Sequence, residues 1–142
     1  MERALAEARA AALRGEVPIG AVMVRAGEVI AAAGNRTRQD ADPTAHAEML
    51  VLRAAAQRLG TDRLSDCDLY VTLEPCTMCA GAIAWARLRR VYYGAADPKG
   101  GAVESGVRFF AQATCHHVPE LYGGLAEAEC AELLRAFFRE RR

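Results

Sequence analysis

Three side chains suited to one metal ion lie in two well-separated parts of this sequence. Cys76 and Cys79 form a Cys-x-x-Cys pair where a strand-like run gives way to a helical one, and His46 lies well before them at the start of another helical segment. A hydrolytic zinc site takes three such nitrogen and sulfur ligands and leaves its fourth tetrahedral position open. A fold that uses all three must bring two helix N-termini together at one edge of a sheet.

Glu48 follows His46 by two residues. This spacing points its carboxylate away from the metal but within reach of a water there, which suits a proton shuttle and not a fourth ligand. Taken alone, a histidine at a helix start is more often a cap, and a Cys-x-x-Cys can be a redox pair. Here no tryptophan precedes the pair and His46 supplies a third ligand. We therefore predict that His46, Cys76 and Cys79 bind zinc and that Glu48 is the catalytic acid and base.

The spacing of apolar residues predicts strands and helices that alternate along most of the chain. A hairpin across Ala26-Gly27 makes the sheet mixed, and the alternation implies a layered α/β fold. We predict strands at 19–25, 28–33, 69–73 and 91–94, and helices that end at Gly15 and Gly60 or span 78–88 and 126–141. Pro119 lies where a last strand is expected, so that strand is an edge or is interrupted, because proline lacks the ladder N–H.

Two details of the predicted helices can be compared with the structure. Thr44 can cap a helix that begins near Ala45, with His46 and Glu48 in its first turn. The first helix carries apolar residues that we expect on one face, namely Leu5, Ala8, Ala12 and Leu13.

Length and composition limit the organisation of the chain. Its 142 residues have room for one core, and we predict a single domain over residues 1–142. No apolar run approaches the ~20 residues of a membrane helix, and the start lacks the apolar stretch of a secretory signal, so we expect a cytoplasmic protein with no membrane partner. Because the formal net charge is zero, any RNA contact must come from local basic patches.

The strings around the candidate ligands carry a resemblance to a known family. His46-Ala47-Glu48 and Pro75-Cys76-Thr77-Met78-Cys79 match the signature of zinc-dependent nucleobase deaminases, and the chain resembles the cytidine and deoxycytidylate deaminase superfamily. Within it, a likeness to bacterial tRNA adenosine deaminases rests on longer strings at 16–22, 42–48 and 70–82 and on the tail at 129–139. The resemblance spans nearly the whole chain.

This resemblance implies a three-layer α/β/α fold with a mixed five-stranded central sheet, a homodimer and one Zn2+ per subunit. It also implies deamination of adenosine to inosine at the wobble position of the arginine tRNA anticodon loop. By position, Asn35 matches the family asparagine that hydrogen-bonds the flipped base, and Asp97 and Lys99 lie on the RNA-facing loop. The basic end of the family's last helix corresponds to Arg139, Arg141 and Arg142.

The chain departs from the family pattern at 100–110 and 116–120, which would touch the anticodon loop. We interpret Phe109 and Phe110 as core or dimer contacts and not as base-stacking residues. We interpret His116 and His117 as structural or RNA-facing and not as a second metal site.

Three functions remain open from the sequence. The leading one is tRNA adenosine deamination. The changed segment 99–122 favours, as an alternative, the same chemistry on a free base or nucleoside such as guanine, cytosine or cytidine. A third is a non-catalytic, zinc-stabilised RNA-binding module, against which Glu48 argues because a closed structural site needs no adjacent acid.

Overall fold

A mixed sheet of five strands lies between two layers of helices, as predicted. The computed structural model describes all residues, 1–142. The strands are β1 (Gly20–Arg25), β2 (Glu28–Gly34), β3 (Cys67–Leu73), β4 (Arg90–Ala95) and β5 (Glu120–Tyr122). The helices are α1 (Glu2–Leu13), α2 (Ala47–Leu59), α3 (Thr77–Ala86) and α4 (Glu127–Arg139), with a short 3-10 turn at Phe109–Ala111.

The direction of the strands determines where the functional loops meet. The order in the sheet is β2-β1-β3-β4-β5, in which β1 is antiparallel to both of its neighbours and β3, β4 and β5 are parallel. Because β1 runs opposite to β2 and β3, the strands β2, β3 and β4 all end at the same edge of the sheet. The helices α2 and α3 start beyond this edge, where ligands bind in many α/β folds.

The helices cover both faces of the sheet. α1 and α4 pack on one face, and α2 and α3 pack on the other. The larger apolar core lies under α2 and α3 and includes Met23, Val51, Leu69, Ile83 and Val91. None of the helices has both the length and the hydropathy that crossing a membrane requires.

The predicted buried face of α1 was only half right. Leu5 and Ala8 are buried, but the other buried positions are Ala4 and Ala11, and Leu13 is 91% exposed. A helix advances about 100° per residue, so Leu13 points about 200° away from Ala11 and faces solvent.

The predicted start of α2 was also wrong by two residues. The Thr44 hydroxyl donates to Asp42 Oδ1 at 2.7 Å instead of capping the helix. α2 begins at Ala47, so His46, with extended backbone, is the residue before it and only Glu48 lies in the first turn. The helix ends at Gly60, as predicted, because this residue adopts a left-handed conformation with φ 67°.

The segment between β4 and α4 completes the sheet. β5 follows Pro119 directly and lies at the edge of the sheet, as the proline predicted. Phe110 is buried in the core and Phe109 packs against it, in agreement with their interpretation as core residues. The ring of His117 hydrogen-bonds the Leu88 carbonyl oxygen at 2.7 Å, and the ring of His116 contacts Trp85.

We expect Gly94→Ala to destabilise the fold by ~1–3 kcal/mol, the usual cost of overpacking. An added Cβ would lie 2.4 Å from Cys130 Sγ and 2.7 Å from the Thr72 carbonyl oxygen, where α4 packs against β4. Urea denaturation measures the change, with exposed Leu13→Ala as a control expected to stay within ~0.5 kcal/mol of wild type. Equal unfolding midpoints for Gly94→Ala and wild type would contradict this close packing.

Candidate active site

The three predicted metal ligands lie together at the sheet edge where β2, β3 and β4 end. His46 immediately precedes α2, Cys76 immediately precedes α3, and Cys79 lies in the first turn of α3. His46 Nδ1 is 3.6 Å from Cys76 Sγ and 3.5 Å from Cys79 Sγ. The three ligand atoms all lie within 4.8 Å of one another.

These distances fit the coordination of one metal ion. With bonds of about 2.3 Å to sulfur and about 2.0 Å to nitrogen, a tetrahedral angle places the two ligand atoms about 3.5 Å apart. Both separations from His46 Nδ1 agree with that value. Three ligands from the chain are also the number found in catalytic zinc sites, whereas structural sites use four. The group can therefore hold a metal ion.

The two thiols and the imidazole influence one another's charge. A hydrogen bond from the Cys79 thiol, with the nearby His46 ring, lowers the pKa of Cys76 to about 4. The same hydrogen bond and burial raise the pKa of Cys79, and the contact with Cys76 raises the pKa of His46. One sulfur is thus a thiolate at neutral pH, and the second releases its proton when a cation binds.

Glu48 lines a cavity beside this ligand group. The cavity has a volume of about 220 Å3, and its lining includes His46, Glu48 and Cys76. The Glu48 side chain is almost completely buried, and burial raises the pKa of its carboxyl. A raised pKa makes the carboxyl a better proton acceptor than an ordinary glutamate, which suits a group that must take up and return a proton. The remaining lining residues are Ile19, Leu73, Glu74, Asp97 and Gly100.

A larger groove adjoins the cavity and shares four of its lining residues: Ile19, Leu73, Asp97 and Gly100. The groove has a volume of about 1130 Å3 and runs between the sheet edge and the C-terminal end of α4. Its lining contains five basic residues and one acidic residue, so its charge is positive although the chain is neutral overall. The basic residues are Lys99, Arg135, Arg139, Arg141 and Arg142.

The three predicted substrate-binding residues differ in whether they line the cavity or the groove. Asp97 lines both the cavity and the groove, while Lys99 lines only the groove. Asn35, at the end of the hairpin, is not among the residues that line either one. Its Oδ1 accepts a hydrogen bond from Ala47 N–H at 2.8 Å, which ties the end of β2 to the first residue of α2.

Sequence reasoning missed two buried carboxylates that hold loops: Glu74, whose loop lines the cavity, and Glu16, whose loop lines neither the cavity nor the groove. Glu74 is 2% exposed and accepts hydrogen bonds from the loop that follows β4. Burial by itself would raise the pKa of the Glu74 carboxyl. Hydrogen bonds from the N–H groups of that loop, the largest from Asp97 N–H, stabilise the charged form more strongly, so the pKa is lowered. Glu16 is 1% exposed and accepts from Arg38 N–H and Gln39 N–H. The signal for Glu74 was its place between a buried strand and Pro75-Cys76.

The fold and the ligand group define a deaminase of the cytidine-deaminase-like class. The model of the MafB19-like deaminase family matches residues 1–142. The chain is 68% identical to a tRNA-specific adenosine deaminase of Agrobacterium fabrum, over 100% of this chain and 93% of that protein. It belongs to the family of tRNA-specific adenosine deaminases.

Solved structures agree with this assignment. One, from work on A-to-I editing by tRNA:A34 deaminases at the wobble position of transfer RNA, superposes with a TM-score of 0.93 at 68% identity. The match covers 94% of this chain and 97% of that one. A guanine deaminase of Bacillus subtilis superposes with a TM-score of 0.64 at 32% identity, over 99% of this chain and 90% of that one. The fold is therefore shared with deaminases that are named for different substrates.

A bound metal should protect Cys76 from alkylation. Cys76 is only half-buried, so we expect iodoacetamide to modify it after chelator treatment, and zinc at about ten times its dissociation constant to slow the reaction about ten-fold. Cys67 is the internal control, because it is fully buried and burial raises its pKa to about 11. Peptide mass spectrometry measures both rates. Equal alkylation of Cys76 with and without zinc would show that it is not a ligand.

Proposed function

We propose that this protein is a zinc-dependent hydrolase that converts adenosine to inosine at the wobble position of tRNA, in the anticodon of arginine tRNA. The observation that carries the proposal is the joint lining of one cavity by Glu48 and two of the three clustered ligand residues. The 68% identity to a tRNA-specific adenosine deaminase along the whole chain supports the substrate. On this proposal residues 1–142 act as one deaminase domain in the cytoplasm, where tRNA is found.

Zinc is the proposed metal because one imidazole and two thiolates form a donor set that it favours. His46, Cys76 and Cys79 would hold one ion per subunit. When bound, zinc supplies the Lewis acidity that makes water a nucleophile near neutral pH. Both cysteine ligands adjoin the N-terminus of α3, where the helix dipole favours their thiolate forms.

Glu48 is the proposed proton carrier. Hydrolytic deamination forms a bond from water oxygen to C6 of adenine, breaks the bond from C6 to the amino nitrogen, and releases ammonia. One proton of the water finishes on ring N1 and the other on the departing ammonia. The Glu48 carboxylate would accept each proton and pass it on, and its raised pKa suits both transfers.

The proposed RNA contacts lie along the basic groove. Lys99 and the arginines of the α4 end line it, and it leads to the cavity through Asp97 and Gly100. A backbone of phosphates favours such a surface. An anticodon loop also presents unpaired bases, so placing one in the cavity costs less than flipping a base out of a duplex.

The proposed homodimer rests on an exposed aromatic side chain. Trp85, on α3, is 71% exposed and contacts the ring of His116. Tryptophan side chains are more often buried, and they are enriched in protein interfaces. A second copy of the chain would cover the indole.

A second candidate function is deamination of a free base such as guanine. The structural likeness to a guanine deaminase favours it, and the cavity beside the ligand group is of a size suited to one base. Ammonia release from guanine, without inosine formation in tRNA, would favour this candidate over the first.

Replacing Glu48 with glutamine should abolish proton transfer while preserving the metal site. We expect kcat/KM to fall ~100- to 10,000-fold, the usual contribution of a general acid–base group, with the zinc content unchanged. Nuclease digestion and mass spectrometry measure inosine in unmodified arginine tRNA, and Glu28→Gln, on the exposed start of β2, is the matched control. A Glu48→Gln protein as active as wild type would refute the acid–base role. No inosine from zinc-loaded wild type would refute the tRNA substrate.

Charge in the groove should control RNA affinity. We expect Lys99→Ala and Arg142→Ala each to weaken binding of an anticodon stem-loop and to lower the slope of log affinity against log salt by about one. Fluorescence anisotropy over a salt series measures this in a Glu48→Gln background, which prevents turnover. Arg63→Ala is the control because Arg63 is exposed but lies outside the groove. Similar losses for all three variants would mean that the groove is not the binding surface.

A further inference from the structure

Glu74 has an unusually complete set of hydrogen bonds for a buried carboxylate. Its Oε2 accepts from the backbone N–H groups of Val103, Glu104 and Ser105 at 3.0, 3.1 and 3.0 Å. Its Oε1 accepts from Asp97 N–H at 2.9 Å and from the Ser105 hydroxyl at 3.0 Å. All five donors belong to residues 97–105, so one side chain fixes both ends of this loop.

The same loop is fastened to the turn that carries Cys76. Cys76 and Gly101 form an isolated β-bridge, and Ala102 N–H donates to the Pro75 carbonyl oxygen at 2.8 Å. The contact around Gly101 is so close that an added Cβ would lie 2.4 Å from Glu74 Cδ and 2.6 Å from the Asp97 carbonyl oxygen. Loop 97–105 is therefore held against the start of α3 by Glu74 from inside.

The part of the loop that Glu74 Oε1 holds is the part that lines the cavity. Asp97 and Gly100 belong to the cavity lining, together with Glu48 and the ligand residues His46 and Cys76. The Asp97 carboxylate shapes this stretch further, since its Oδ1 accepts from Lys99 N–H and Gly100 N–H at 3.1 and 3.0 Å. Movement of Asp97 would therefore move the whole wall.

We propose that Glu74 is a positioning residue for substrate: its carboxylate holds Asp97 and, through it, the cavity wall 97–100 in the place where the substrate base binds. This inference rests on the proposed function for its substrate. The metal ligands and Glu48 lie in the first turns of α2 and α3 or just before them, and Cys76 contacts the loop at Gly101, outside the stretch 97–100. Loss of the Glu74 contact should consequently impair substrate binding more than the chemical step.

The two oxygens of Glu74 make glutamine a selective probe. A glutamine can place its one oxygen at the Oε2 position and keep the three bonds from Val103, Glu104 and Ser105. Its amide nitrogen then faces Asp97 N–H, so two donors meet and that bond is lost, while the Ser105 hydroxyl can turn and accept. Glu74→Gln should therefore release Asp97 and leave the far end of the loop in place.

Glu16 offers a matched control. It is equally buried and also accepts backbone N–H groups of a loop, those of Arg38 and Gln39 at 3.1 and 2.8 Å. Residues 37–39 line neither the cavity nor the groove. Glu16→Gln therefore loses a buried hydrogen bond, as Glu74→Gln does, but it does not displace the cavity wall.

The experiment compares steady-state kinetics of wild type, Glu74→Gln and Glu16→Gln on unmodified arginine tRNA, at equal zinc content. For Glu74→Gln we expect KM to rise about ten-fold, the equivalent of one charge-assisted hydrogen bond, with kcat within about three-fold of wild type. For Glu16→Gln we expect KM to stay at the wild-type value. Equal KM values for Glu74→Gln and wild type, or a fall in kcat alone, would overturn the proposal.

Ser105→Ala covers the case in which Glu74→Gln fails to fold or to retain zinc. It removes one of the two donors that fix Glu74 Oε1, without changing the Cys76 turn. Oε1 should then hold Asp97 less firmly, so we expect a smaller rise in KM than in Glu74→Gln. No rise would overturn the proposal. Amide hydrogen exchange provides a readout without activity: exchange in 96–100 should accelerate in Glu74→Gln while 103–105 stays protected. If wild type forms no inosine, the proposed function fails by itself, and the exchange measurement still decides whether Glu74 holds the cavity wall.

Discussion

The architecture depends on bringing one histidine nitrogen within 3.6 Å of two sulfurs that lie 30 and 33 residues further along the chain. The strand directions make this possible. β1 runs against both β2 and β3, so these two strands end at the same edge of the sheet with one strand between them. Neighbouring strands lie about 4.8 Å apart, so the helices that follow β2 and β3 can start close together. Asn35 then fixes the start of α2 through its bond to Ala47 N–H.

Buried carboxylates stabilise the irregular part of this edge. Loops near a site expose backbone N–H groups that no strand partners, and a buried carboxylate is costly unless several donors surround it. Glu74 and Glu16 resolve both problems together, because each accepts from two or more consecutive N–H groups of a loop. No buried side-chain nitrogen or oxygen in the chain lacks a hydrogen-bond partner. Charge-assisted hydrogen bonds thus help to position these loops.

Features with strong local signals were predicted from the sequence, and those that depend on distant partners were not. The hairpin, the Gly60 helix end and the edge strand after Pro119 follow from turn chemistry and missing donors. Thr44 satisfies the local pattern of a helix cap, but its bond to Asp42 shifts the helix start to Ala47. The position of Glu74 before Pro75-Cys76 was a signal, but the bonds of Glu74 and Glu16 could not be predicted, because their partners lie more than twenty residues away in segments with no regular structure.

The residues proposed for chemistry and those proposed for substrate recognition lie on different parts of this fold. The ligand group and Glu48 lie at the starts of two helices that pack into the core, a rigid setting for atoms that must keep fixed distances. The cavity wall at 97–100 and the basic groove belong to a loop and to the end of α4, which lie at the surface. On the proposed function, changes in these surface segments would alter which base or polymer enters while the ligands keep their places at the two helix starts. This separation is consistent with a common fold for relatives named as tRNA-specific adenosine deaminases and guanine deaminases.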